Sequence, residues 1–243
     1  MASSPPGACC VQTNFHEGTP LGTHKEIFGL DTYTVGESSK VIVILTDIYG
    51  HKYNNVLLVA DAISKEGYKV LIPDILKGDP IVSFDELQAW LPKHTPEITA
   101  PIVNGFLKKV KEELKPTFLG SIGYCYGAKY VIQNLSSSGF LDAGAVAHPS
   151  FVSIEEVKEI KRPLIISAAE TDSIFPPELR HQTEDELAKL NGVRYQVDLF
   201  SGVTHGFAVR GDINNPIVKY AKEKALLDQL TFFDSVQVLK SNL

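Results

Sequence analysis

The chain has 243 residues, 44% of them hydrophobic and 21% charged, which is the length and balance of one well-buried domain, expected here to span residues 1–243. A formal charge of −6, with no arginine before Arg162, excludes a broad phosphate-binding face, so no nucleic-acid partner is expected. No stretch approaches the ~18 consecutive apolar residues of a membrane helix, and the start MASSPPGACC has neither a basic nor an apolar run of a targeting signal. Three cysteines, two of them adjacent, make no disulfide framework, and a cytoplasmic protein with free thiols is expected.

Residues 25–34 suggest an antiparallel pair at one edge of a sheet. Residues 41–46, Val-Ile-Val-Ile-Leu-Thr, form a continuous β-branched run, as in a strand buried on both faces. A helix is predicted over 54–65, with apolar residues at 56, 57, 60 and 63 and Gly67 past its end. A second strand follows at 68–76. Residues 77–101, with Pro80, Trp90, Pro92, Pro96 and Pro101, read as irregular with short helical pieces, and a better helix runs over 102–114. Downstream the alternation is regular. Strands are predicted at 118–124, 143–147, 164–168 and 194–200, and helices at 128–135, 154–160, 178–190 and 216–239. Such alternation implies an α/β protein with a mostly parallel sheet covered by helices on both faces. A closed (β/α)8 barrel competes, but the N-terminal hairpin reading disfavours it.

The strand 118–124 runs into Gly123-Tyr-Cys125-Tyr-Gly127, a nucleophile frame with cysteine at its centre. A side chain on a sharp strand-to-helix turn is strained, and its neighbours must lack Cβ atoms for the backbones to approach. The alternative is a buried structural cysteine between incidental glycines. Asp172 follows the strand ending near 168, and His205 follows the strand ending near 200. All three therefore fall at carboxyl ends of strands, where open α/β sheets build sites, in the order nucleophile, acid, histidine. Asp172 could instead cap the helix near Pro176, and His205 could be one of seven histidines without a special role. The N–H of Tyr126 would open an oxyanion hole at the helix start. Cys9, Cys10 and His16 lack a fourth ligand at zinc-finger spacing, so no metal is expected. His148, at a strand end, falls on the same rim.

The Cys125 elbow, the Asp172 loop and His205-Gly-Phe-Ala208 together resemble the dienelactone hydrolases (carboxymethylenebutenolidases), from about residue 25 to near the C-terminus. The segment Cys9-Cys10 with His16-Glu-Gly-Thr-Pro20 further resembles fungal members. The resemblance implies an α/β-hydrolase fold and a triad of Cys125, His205 and Asp172. It implies that Asp47, where the family commonly carries Glu, lies near the thiol and disfavours a standing thiolate. It makes the Ile48 N–H the second oxyanion donor. Members that open dienelactone hold its carboxylate with two arginines. Arg210 lies one position from the place of one, and the other has no arginine to match it. Lys77 would be a poorer clamp.

Tyr49, Tyr126, Trp90, Phe207, His148 and Arg210 are the candidates for substrate contact, against the alternative that the aromatics are simply core. The expectation is a hydrolase that cleaves a small-molecule lactone, ester or thioester without a cofactor, as a monomer or weak dimer. The rivals are a non-catalytic binding or regulatory protein of the same fold, and a redox-sensing thiol protein.

Overall fold

The computed structural model describes residues 2–241. Eight strands form one sheet in the order β1-β2-β4-β3-β5-β6-β7-β8. The strands are β1 (Thr23–Ile27), β2 (Leu30–Val35), β3 (Lys40–Leu45), β4 (Lys69–Pro73), β5 (Phe118–Tyr124), β6 (Ala143–Ala147), β7 (Leu164–Thr171) and β8 (Tyr195–Thr204). Strand β2 is antiparallel to both neighbours, and β4 through β8 pair in parallel. This is an open sheet, not a closed barrel.

Period-two alternation in β3 explains why the sheet is covered twice. Val41, Val43 and Leu45 face one core, and Ile42 and Ile44 face the other. The first core is closed by α2 (Leu87–Trp90), α3 (Pro96–Lys109), α4 (Ala128–Gln133), α5 (Ile154–Lys158) and α6 (Pro177–Leu187). The second is closed by α1 (Asn54–Lys65), α7 (Phe207–Arg210) and α8 (Pro216–Ser241).

The main departure from the sequence reading lies at α3, which starts at Pro96 and not at 102. Pro96 occupies the first turn, where a missing N–H costs nothing. Pro101 is tolerated because it is exposed, so the Glu97 carbonyl it leaves without a helical partner lies on a water-facing side. The helix then runs into a π-helical turn, Val110–Leu114, and stops at Lys115 with φ 45°. The strand expected over 68–76 is shorter, and β7 and β8 run several residues further than predicted.

Residues 2–17 fall within the expected domain, but the sequence shows no periodic element in them. They form a strap across the carboxyl edge of the parallel strands. Ala2 and Ser3 donate to Val152 O (both 2.9 Å), and Ser4 donates to Ile174 O (2.7 Å). Asn14 and His16 are held by Arg210 O and Asn55 Oδ1 (3.1 and 2.9 Å). Between these latches a short helical turn, Ala8–Val11, brings Cys9 and Cys10 over the end of β5.

Candidate active site

Cys125 follows β5 directly and has φ 48°, a left-handed conformation that costs a non-glycine residue about 1 kcal/mol or more. The flanking glycines make that turn possible. A Cβ on Gly127 would lie 2.0 Å from Leu45 O, and one on Gly123 would lie 2.7 Å from the Ala128 Cα. The side chain is fully buried.

His205 follows β8, and its Nδ1 donates to Asp172 Oδ2 at 2.8 Å. Asp172 sits just past β7, where its Oδ1 also accepts the N–H groups of Ile174 and Phe175 (2.8 and 3.0 Å). The turn-capping role and the contact with histidine therefore coexist in one carboxylate. With Nδ1 engaged, the Nε2 of His205 faces the thiols.

Cys10 enters this constellation from the strap. Its Sγ lies 3.4 Å from the Cys125 Sγ and 3.4 Å from His205 Nε2. The three ligand atoms of Cys10, Cys125 and His205 all lie within 4.8 Å of one another. Ser150 Oγ is 3.6 Å from the Cys125 sulfur on another side. Cys9 and Ser173 touch at 3.6 Å beside Asp172.

Burial works against charge on Cys125, but the Cys10 hydrogen bond and the charge of His205 outweigh it and bring its pKa well below the ordinary thiol. Burial likewise opposes charge on His205, and the facing Cys125 charge and the Asp172 bond override it, raising the pKa to about 10. The two directions agree and describe a thiolate–imidazolium pair. Cys10 moves the other way, pushed up first by its hydrogen bond to Cys125, and so keeps its proton. Cys9 is lowered to about 6, chiefly by a bond from Cys10.

Asp47, expected beside the thiol, lies near enough for the Cys125 charge to join burial in pushing its carboxyl up, but it does not act on the thiol alone. Asp47 is buried in an ion pair with Arg210, Oδ2 to Nε 2.7 Å, and accepts the Tyr49 N–H on Oδ1 at 2.9 Å. Burial raises its own pKa while Arg210 opposes that, and the neighbouring thiol is lowered, not raised. Arg210 is likewise not a free clamp. It also donates to Gln12 O in the strap, and only its Nη2 has no hydrogen-bond partner.

The Ile48 carbonyl accepts from Ile81 N–H (2.9 Å), and neither this bond nor the Tyr49–Asp47 bond engages the Ile48 N–H. The Tyr126 OH bonds Thr99 Oγ1 (2.6 Å) and His94 O (2.8 Å). Trp90 stacks on His94 at 3.8 Å and donates to Asp79 O, so it packs behind Tyr126. Phe207 is buried against Phe200 and His148. Tyr49 is half-buried under Arg210, 5.5 Å away.

His148 is fully buried, with its ring edge-on to His205 at 4.9 Å between centroids. Neither of its nitrogens makes a well-formed hydrogen bond, yet the ring is near enough to the Cys125 sulfur for each to shift the other's ionisation. Burial lowers its pKa to about 4, so it is neutral at neutral pH.

His16 bonds Gly211 O at 2.7 Å, and Cys9, Cys10 and His16 do not gather as a ligand set among the described residues. The groups that do gather are Cys10, Cys125 and His205; Cys9, Asp172 and His205; and His24, Asp31 and His51.

The model of the dienelactone hydrolase family matches residues 30–237. The chain belongs to that family. It is 41% identical to the hydrolase pyvD of Aspergillus violaceofuscus, over 96% of this chain and 98% of the other. It is 34% identical to dienlactone hydrolase 1 of Gibberella moniliformis, over 96% of each. A Klebsiella pneumoniae crystal structure provisionally named a dienelactone hydrolase shares the fold at 14% identity, with a TM-score of 0.74 over 89% of this chain and 99% of that one. The chain is a fungal-type member of the family and a hydrolase of esters or lactones, which removes the non-catalytic alternative. No helix among the described residues is long and apolar enough to cross a membrane.

Proposed function

We propose that this hydrolase cleaves a small-molecule lactone, ester or thioester by acyl transfer to Cys125. The observation that carries the reading is a strained, glycine-flanked Cys125 whose sulfur lies within 4.8 Å of a ring nitrogen of His205, itself fixed by Asp172.

The thiolate attacks the substrate carbonyl, and the oxyanion is held by the N–H groups of Tyr126 and Ile48. The His205 imidazolium gives its Nε2 proton to the leaving oxygen or sulfur. It then takes a proton from water, which releases the acyl group and restores the thiolate. Asp172 keeps the Nδ1–H tautomer and balances the imidazolium. Because Cys10 occupies the space between Cys125 and His205, the strap shifts for substrate to enter.

An apolar lactone or ester fits better than a carboxylated one. Arg210 is already neutralised by Asp47, and the exposed Lys77 lacks a bidentate fork. A panel of p-nitrophenyl acetate, a dienelactone and an acyl thioester, assayed with wild type, Cys125→Ala and His205→Ala, tests this. Turnover lost in both variants supports the mechanism, and turnover retained in Cys125→Ala overturns it. A dienelactone preferred over the uncharged ester would contradict the substrate reading.

A further inference from the structure

Cys10 has no step in acyl transfer, yet it is fully buried with its sulfur 3.4 Å from that of Cys125. The strap that carries it is anchored independently on both sides. Upstream, Ser3 and Ser4 bond the loops at Val152 and Ile174, and downstream Asn14 and His16 bond Arg210 and Asn55. A thiol held in van der Waals contact with a strained nucleophile, 115 residues away in sequence, is a placement the fold spends hydrogen bonds to maintain.

We propose that Cys10 is the resolving thiol of Cys125, so that a hydroperoxide converts the pair into a reversible Cys10–Cys125 disulfide that closes the hydrolase. This rests on the reading of Cys125 as the reactive nucleophile. The Cys125 thiolate attacks one peroxide oxygen and the O–O bond breaks. The departing oxygen leaves with its electron pair and takes the His205 proton, leaving a sulfenic acid on Cys125. Cys10 then attacks that sulfur, its own proton goes to the departing hydroxide, and water is lost as the S–S bond forms. Two thiols are oxidised by two electrons in all, and one hydroperoxide is reduced to an alcohol or water, with a second water released.

The sulfurs must close by about 1.4 Å to reach bonding distance, a shift within reach of the short turn that carries Cys10. The strap movement that admits an ester also admits the much smaller peroxide. A disulfide formed there pins the strap over the nucleophile and removes the attacking sulfur at once. It also protects Cys125 from the irreversible sulfinic and sulfonic acids.

The full-length reduced protein is treated with hydrogen peroxide and analysed by intact mass and peptide mapping, beside Cys9→Ala, Cys10→Ala and Cys10→Ser. The expected wild-type result is loss of two hydrogens, a Cys10-to-Cys125 cross-link, and esterase activity down by at least about tenfold and restored by dithiothreitol. Cys9→Ala behaves the same way. In either Cys10 variant Cys125 instead gains two or three oxygens, and dithiothreitol does not restore activity.

Oxygenated Cys125 without a cross-link in wild type, or a bridge that uses Cys9, overturns the proposal. The mass readout does not need ester turnover. A cross-link in a protein whose Cys125→Ala variant still hydrolyses esters therefore sinks the nucleophile reading and the closing of the hydrolase, and leaves the disulfide itself standing. A wild type that hydrolyses esters but never cross-links sinks only the disulfide.

Discussion

At the scale of the residue, the site is defined by two groups that shift in opposite directions. Cys125 titrates well below the ordinary thiol and His205 is raised to about 10, so the charged pair spans neutral pH. The rate is expected to be flat across neutrality. It falls on the acid side as the thiolate is protonated, and again near pH 10 as His205 loses the proton it gives to the leaving group. The linkage to stability has a matching sign. The His205 contribution is complete below its ordinary value of 6.5 and lost as pH rises through about 10, whereas that of Cys125 is lost as pH falls through its depressed value.

A pH titration of thiolate ultraviolet absorbance, wild type against Cys125→Ser, checks the first claim, because an ordinary thiol would titrate near 8.5. His205→Ala is expected to lower the rate by about 10²–10⁴-fold, and Asp172→Asn by up to about 10⁴-fold through the wrong tautomer. Steady-state kinetics with p-nitrophenyl acetate read both. Cys125, Asp172 and His205 were legible because glycine spacing and chain order are local signals. Cys10 was not, since its partners lie 115 and 195 residues away and an adjacent cysteine pair carries no motif of its own.

At the scale of the element, the elbow and the strap divide the work. The elbow is rigid by steric exclusion. Gly127→Ala would drive a Cβ into the Leu45 carbonyl at the neighbouring strand, so a loss on the order of 3 kcal/mol is expected in denaturant unfolding. The short helix α5 depends on its capping box, in which Ser153 Oγ accepts Glu156 N–H and Glu156 Oε2 accepts Ser153 N–H. Ser153→Ala is expected to cost about 1 kcal/mol by the same measurement, without changing the esterase rate.

The β-branched run of β3 and the alternation after it were readable from sequence, because burial on both faces leaves little freedom in composition. The start of α3 was hidden by two prolines that are harmless where they fall, one in the first turn and one facing water. The strap carries too little periodicity for its course over the rim to be read.

At the scale of the whole molecule, the parallel sheet gathers the ends of β3, β5, β7 and β8 on one rim, and the strap covers that rim. The Asp47–Arg210 pair ties three parts together: the loop after β3, helix α7 and, through Gln12 O, the strap. Removing one member leaves a buried unpaired charge. Asp47→Asn is therefore expected to cost about 3–5 kcal/mol in thermal or chemical unfolding, a far larger effect than the loss of a surface pair. A loss below about 1 kcal/mol would show that Arg210 finds another partner or water.

In the proposed reaction Cys125 carries the acyl group between the two half-reactions. Rapid-quench mass spectrometry after mixing wild type with p-nitrophenyl acetate tests it most directly. One acetyl group is expected on the peptide that holds Cys125, formed within the burst of nitrophenol and lost as water turns it over. An acetyl group on another residue, or steady turnover with Cys125 unmodified at every time point, would contradict it.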